Sequence, residues 1–121
     1  MVADQAQIAV TLFSRMRGLL NRTSLKKGEG LVIVSCQQIH TVFMRFPIDV
    51  IFVDKTHKVV GLVRNIPPFG FSPIFWNASF AIELPTSAIE KAQTQSGDIL
   101  EFEKYAEARS KDVKKQELKI L

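Results

Sequence analysis

The chain has 121 residues, a net charge of +4, a mean hydropathy of +0.09 and 46% apolar residues, with one cysteine. Those values exclude a disordered polymer, an internal disulfide and a multi-thiolate zinc site, and no apolar run is long enough for a membrane-spanning helix. The length sets one domain, and Asp4, Gln5, Gln7 and Thr11 break up any apolar core of an export signal, so the expected setting is a reducing cytoplasm.

Alternation over residues 7–13 predicts a first strand. Ser14 then opens a predicted short helix over 15–21, with Met16, Leu19 and Leu20 on one face and the arginines mostly on the other. This region holds the main charge asymmetry: Arg15, Arg17, Arg22, Lys26 and Lys27 face only Asp4 and Glu29 within residues 1–30. A turn at Gly28 and Gly30 leads into the β-branched run 31–34, of the kind found in strands covered on both faces.

Residues 46–54 carry the strongest strand signal, and Pro47 must stand at its start or on an edge because it has no N–H for a ladder. A tight turn at 54–57 returns the chain as a hairpin over 58–64. Residues 65–77 form a long loop with three prolines, Gly70, Phe69, Phe71, Phe75 and Trp76. The cheaper reading folds those phenylalanines onto a small core; an exposed platform for stacking bases is the alternative. Another strand spans 79–84, and Ser87 with Glu90 has the capping-box spacing that opens a second short helix. Gly97 and Asp98 turn the chain into a last strand at 99–102. The predicted fold is therefore α+β and mainly β: a small, partly closed, barrel-like antiparallel or mixed sheet with two short helices. One domain covers residues 1–103, and the charged stretch 104–121 reads as a tail or peripheral helix.

Ionisable residues concentrate between Cys36 and Asp54. Strand alternation puts Asp49 on the same face as Ile51 and Val53, where a buried carboxylate needs a partner that Arg45 or His40 could supply; a structural acid fixing the turn before Pro47, or an edge position facing water, is the alternative. Cys36 reads as a buried small hydrophobe, or as a nucleophile activated by His40. Cys36 and His40 alone make too few ligands for zinc, and His57 sits in a turn that suits a left-handed backbone. Glu83 and Asp98 each carry little signal alone.

The block Cys36-x-x-Ile39-His40-Thr41-x-Phe43-Met44-Arg45-Phe46-Pro47-Ile48-Asp49-Val50-x-Phe52-x-Asp54 resembles the core signature of domain-of-unknown-function family 192. Upstream, Arg15-x-Arg17-Gly18-Leu19-Leu20-x-Arg22-x-x-Leu25 and Gly28-Glu29-Gly30-Leu31 fit the same pattern, as do Glu83-Leu84-Pro85 and Gly97-Asp98 downstream. The resemblance spans about residues 8–103. It implies a compact, mainly β, barrel-like prokaryotic protein with no established biochemical activity. The matched polar residues are Arg17, Arg22, Glu29, His40, Arg45, Asp49, Glu83 and Asp98. His57 and Ser87 stand where the family usually has glycine, which suggests altered turns there.

The first functional reading is a binding module that holds a small polar or anionic ligand, or a peptide end, near His40, Arg45 and Asp49, with Arg17 and Arg22 as further candidates. An acid/base hydrolase using His40 with Asp49 or Cys36 ranks second, so no catalytic residue, metal or cofactor is assigned. Nucleic-acid binding through the basic cluster at 15–27 ranks lower, because no glycine-rich phosphate loop accompanies it. A protein-interaction role for the charged tail is the least specific reading. No membrane partner is expected, and the chain reads as a monomer or weak homo-oligomer.

Overall fold

The computed structural model describes residues 2–9, 25–41, 44–107 and 116–120. They form strands β1 (Ala3–Ala9), β2 (Glu29–Val34), β3 (Ile48–Val53), β4 (Val59–Ile66) and β5 (Phe80–Leu84), a one-turn helix α1 (Ala88–Ala92), and strands β6 (Phe102–Glu107) and β7 (Gln116–Ile120). The seven strands lie in one sheet in the order β4-β3-β5-β2-β1-β7-β6. β1 and β2 pair parallel and every other pair is antiparallel.

β3 explains why the sheet holds together. All six of its residues are buried, and its period-two pattern feeds two cores. Ile48, Val50 and Phe52 join Leu31, Ile33, Ile39, Met44 and Ala81 on one face. Ile51 and Val53 join Val32, Ile82, Leu84, Ile89 and Leu100 on the other. Each fully buried aliphatic or aromatic side chain stabilises by about 1.5–3 kcal/mol relative to exposure, so this one strand contributes to both layers.

The sheet is open. Its edges, β4 and β6, share no ladder; a single bridge joins Lys58 to Ile99, and Val59 N–H donates to Asp98 O at 2.8 Å. Contact stops at the first residues of the two strands and the turns ahead of them, so the sheet is not closed into the expected barrel among the described residues. Of the two expected helices, the one at 15–21 lies outside the described residues. The second is α1, and no described helix is long and apolar enough to cross a membrane. The stretch past residue 103 is not a helix where it is described: β6 and β7 pair with each other, and β7 also pairs with β1.

Two turns keep a glycine-like backbone without glycine. His57 has φ 68° and Ser87 has φ 72°, so the expected alteration of these turns is not what the backbone shows. Asp54 Oδ1 accepts from Thr56 N–H (2.8 Å), Thr56 Oγ1 (2.7 Å) and Lys58 N–H (3.0 Å), which fixes the β3–β4 turn. The Thr56 hydroxyl first, then the Lys58 amide, hold the Asp54 carboxyl below its usual range. The His57 ring packs edge-on against Phe102 at 4.5 Å and Phe80 at 5.8 Å, contacts a glycine would forgo.

The aromatic loop divides its side chains. Phe75 stacks on Phe52 at 4.6 Å and lies over Gly61, where an added Cβ would run into its ring. Phe69, Phe71 and Trp76 instead face solvent, against the reading that folds the loop's phenylalanines inward.

Candidate functional site

Asp49 is buried, but neither Arg45 nor His40 satisfies it. Its Oδ1 accepts from Asn65 N–H at 2.8 Å and its Oδ2 from Ile89 N–H at 3.1 Å. The first bond ties β3 to the end of β4, where Asn65 takes φ 53°. The second places a carboxylate at the first turn of α1, where unsatisfied amides and the helix dipole favour negative charge. The expected cap, Ser87, makes no side-chain bond to the helix, because its left-handed backbone is the wrong geometry for one. A strand residue 40 positions away in sequence from Ile89 does the capping instead.

His40 and Arg45 both face solvent. His40 bridges to Phe71, and its ring lies 6.3 Å from that phenylalanine. Cys36 is buried among the core residues on the face of the sheet opposite Asp49, and its thiol donates to Gln38 O at 3.2 Å. The expected convergence of imidazole, guanidinium and carboxylate is therefore split between surface and core. A His40–Asp49 dyad has no geometric basis, because both carboxylate oxygens are held by backbone amides. Arg17 and Arg22 lie outside the described residues. Among the described residues, no group of three or more His, Cys, Asp and Glu side chains could hold a metal ion.

Glu83 is the residue whose importance the sequence hides. It sits on β5 between Leu31 of β2 and Val50 of β3, on the face it shares with Ala81. It is 5% exposed and its Oε2 has no hydrogen-bond partner. Burial alone pushes its carboxyl up to about 7. The legible signal was parity: Ile82 and Leu84 alternate with Ala81 and Glu83 on a strand flanked on both sides by apolar strands.

A cleft of about 500 Å³ opens at the end of the sheet where Leu84 leads into Pro85. Its walls are Val2 and Ala3 at the start of β1, Leu25, Lys27 and Gly28 ahead of β2, and Pro85, Thr86, Ala88 and Lys91 around α1. Among the described residues, its charged lining residues are both lysines. The turn carrying Lys27 is closed by Glu29 N–H donating to Lys26 O (3.0 Å) and Lys26 N–H donating to Glu29 Oε1 (2.8 Å), with Gly28 at φ 88°. Lys91 rides on α1, so Asp49 sets the position of that wall through Ile89. In the sequence Lys27 belongs to a diffuse basic cluster and Lys91 carries no signal; their juxtaposition depends on the β2–β5 pairing.

The described residues thus form an open, mainly β mixed sheet with a cleft at its end that Lys27 and Lys91 line. The chain belongs to the domain-of-unknown-function family DUF192, described as "Uncharacterized ACR", whose signature matches residues 2–102. A UPF0127 protein of Thermococcus sibiricus is 32% identical over 103 residues, covering 82% of this chain and 66% of the relative, so the match spans just under two thirds of that protein. The fold is similar to a crystal structure of a protein of unknown function from Novosphingobium aromaticivorans (TM-score 0.71, 21% identity, 78% of this chain and 71% of that one). It is also similar to a candidate transcription regulator from Sinorhizobium meliloti (TM-score 0.69, 17% identity, 78% of both chains).

Proposed function

We propose that this protein is a binding module for a small anionic ligand, held in the end cleft between Lys27 and Lys91. The observation that carries the reading is the lining: among the described residues, Lys27, Lys91 and Thr86 and no acidic residue border about 500 Å³. That volume suits a small molecule, and the apolar walls from Val2, Leu25 and Pro85 would cover its less polar part. Lysine is a flexible point charge, so the cleft selects for charge more than for planar shape. A reducing cytoplasm remains the compartment we assign, in keeping with a single, buried cysteine, Cys36. Catalysis is the lesser reading, because Asp49 and Cys36 are both engaged inside the cores.

Calorimetric titration with inorganic pyrophosphate tests the site. Either Lys27→Ala or Lys91→Ala is expected to weaken binding about tenfold, the scale of one lost charge-assisted hydrogen bond, while Arg45→Ala leaves it unchanged. Binding abolished by Arg45→Ala and indifferent to both lysines would move the site to the His40 surface.

A further inference from the structure

The loop after β4 builds a second surface that the cleft does not use. Phe69, Phe71 and Trp76 are 71%, 66% and 74% exposed, and Ile74 beside them is 44% exposed. Their backbone is fixed. Phe69 N–H donates to Thr41 O (2.8 Å), Thr41 N–H to Gly70 O (2.9 Å), Ser72 N–H to Ile39 O (2.8 Å) and Phe75 N–H to Gln37 O (2.8 Å). The Thr41 hydroxyl accepts from Gly70 N–H (2.8 Å) and the Ser72 hydroxyl from Ile39 N–H (2.9 Å). The aromatics are thus presented outward from a rigid frame, which lowers the ordering cost of covering them.

We infer that this face is the contact between two copies of the chain, related by a two-fold axis. Residues 65–82 carry no charged side chain, and from Gly30 to Val53 the charged side chains are Arg45 and the buried Asp49. A polyanion such as nucleic acid or an anionic membrane needs a cationic surround, and among the described residues of these two stretches Arg45 is the one cation, too little to supply it. A charge-free aromatic face needs no complementary charge and can meet itself, as a two-fold interface requires. Aromatic enrichment with charge depletion is also what marks the centre of protein interfaces. Three aromatics of this exposure with Ile74 present about 500 Å² of apolar surface. With Gln37, Gln38 and His40, which bond to Trp76 O, bond to Ser72 O and bridge to Phe71, as a polar rim, the patch approaches the roughly 800 Å² per partner of a stable interface.

Trp76 is the single tryptophan, so its emission reports directly on the contact. Sedimentation of the full chain from about 1 to 200 µM is expected to show the mass doubling, a range that brackets a micromolar dimer. Trp76 emission should shift to the blue over the same range. Phe71→Ser and Trp76→Ser should each remain monomeric throughout with an unchanged circular dichroism spectrum, since both side chains are mostly exposed. A wild-type chain that stays monomeric at the highest concentration overturns the dimer, as does a dimer that both substitutions leave intact. Trp76 emission that responds to an oligothymidylate or to anionic vesicles while the chain stays monomeric also overturns it and assigns the patch to that partner.

Discussion

Glu83→Gln is expected to stabilise the protein at pH 8 by up to roughly 3 kcal/mol and to leave it nearly unchanged at pH 4. The carboxyl is buried between Leu31 and Val50 with Oε2 unpartnered, and its folded pKa is raised from 4.5 to about 7. An acid raised in this way holds its proton in the folded state after the unfolded chain has released its own. The folded state therefore binds more protons between pH 4.5 and 7, and stability falls as pH rises through that window. Above it, the native protein carries the full cost of a buried, unpaired charge. Glutamine keeps the shape and removes the charge. Urea unfolding of both proteins at pH 4, 6 and 8 measures the difference, which should grow with pH. A glutamine variant that is equally or less stable at pH 8 would show that the carboxylate is solvated or paired when ionised.

Asp49→Ala should cost roughly 3–5 kcal/mol, because it orphans two backbone amides that bond to a charged acceptor in the interior. The Asn65 N–H anchors the end of β4 and the Ile89 N–H begins α1, so the damage should be spatially defined. Native-state hydrogen exchange is expected to accelerate at Asn65 and Ile89 well before it does at Ile51 or Ile82. Asp49→Asn keeps one acceptor oxygen and should lose less. His40→Ala and Arg45→Ala should change stability by under about 0.5 kcal/mol, because neither touches the carboxylate. A loss at Arg45 as large as that at Asp49 would restore the ion pair that the geometry denies.

These two acids show what the sequence makes legible. Strand β3, its hairpin with β4 and the turn at Asp54 follow from alternation, Pro47 and turn chemistry, and all three form as read. That Asp49 shares a face with Ile51 and Val53 is likewise readable, though the same alternation fits an edge position facing water. Its partners are not readable, because they are backbone amides brought up by α1 and the Asn65 kink, and amides leave no mark in composition. Ser87 looked like a cap from spacing alone; a positive φ overrode it. Glu83 gains its significance from β2 and β3 flanking β5, a pairing that residue type does not encode. The aromatic loop was ambiguous for the same reason: residue type does not say which of Phe69, Phe71 and Phe75 finds a gap, and only Phe75 has Gly61 beneath it. The strands beyond residue 103 escaped because their charged residues obscure the alternation.

The cleft claim is tested most directly by following backbone amide resonances during a pyrophosphate titration. Saturable shifts should concentrate at Lys27, Gly28, Thr86, Ala88 and Lys91, with His40 and Arg45 unmoved. Shifts confined to His40, Thr41 and Arg45, with Gly28 and Ala88 silent, would contradict it and return the ligand to the bend before β3.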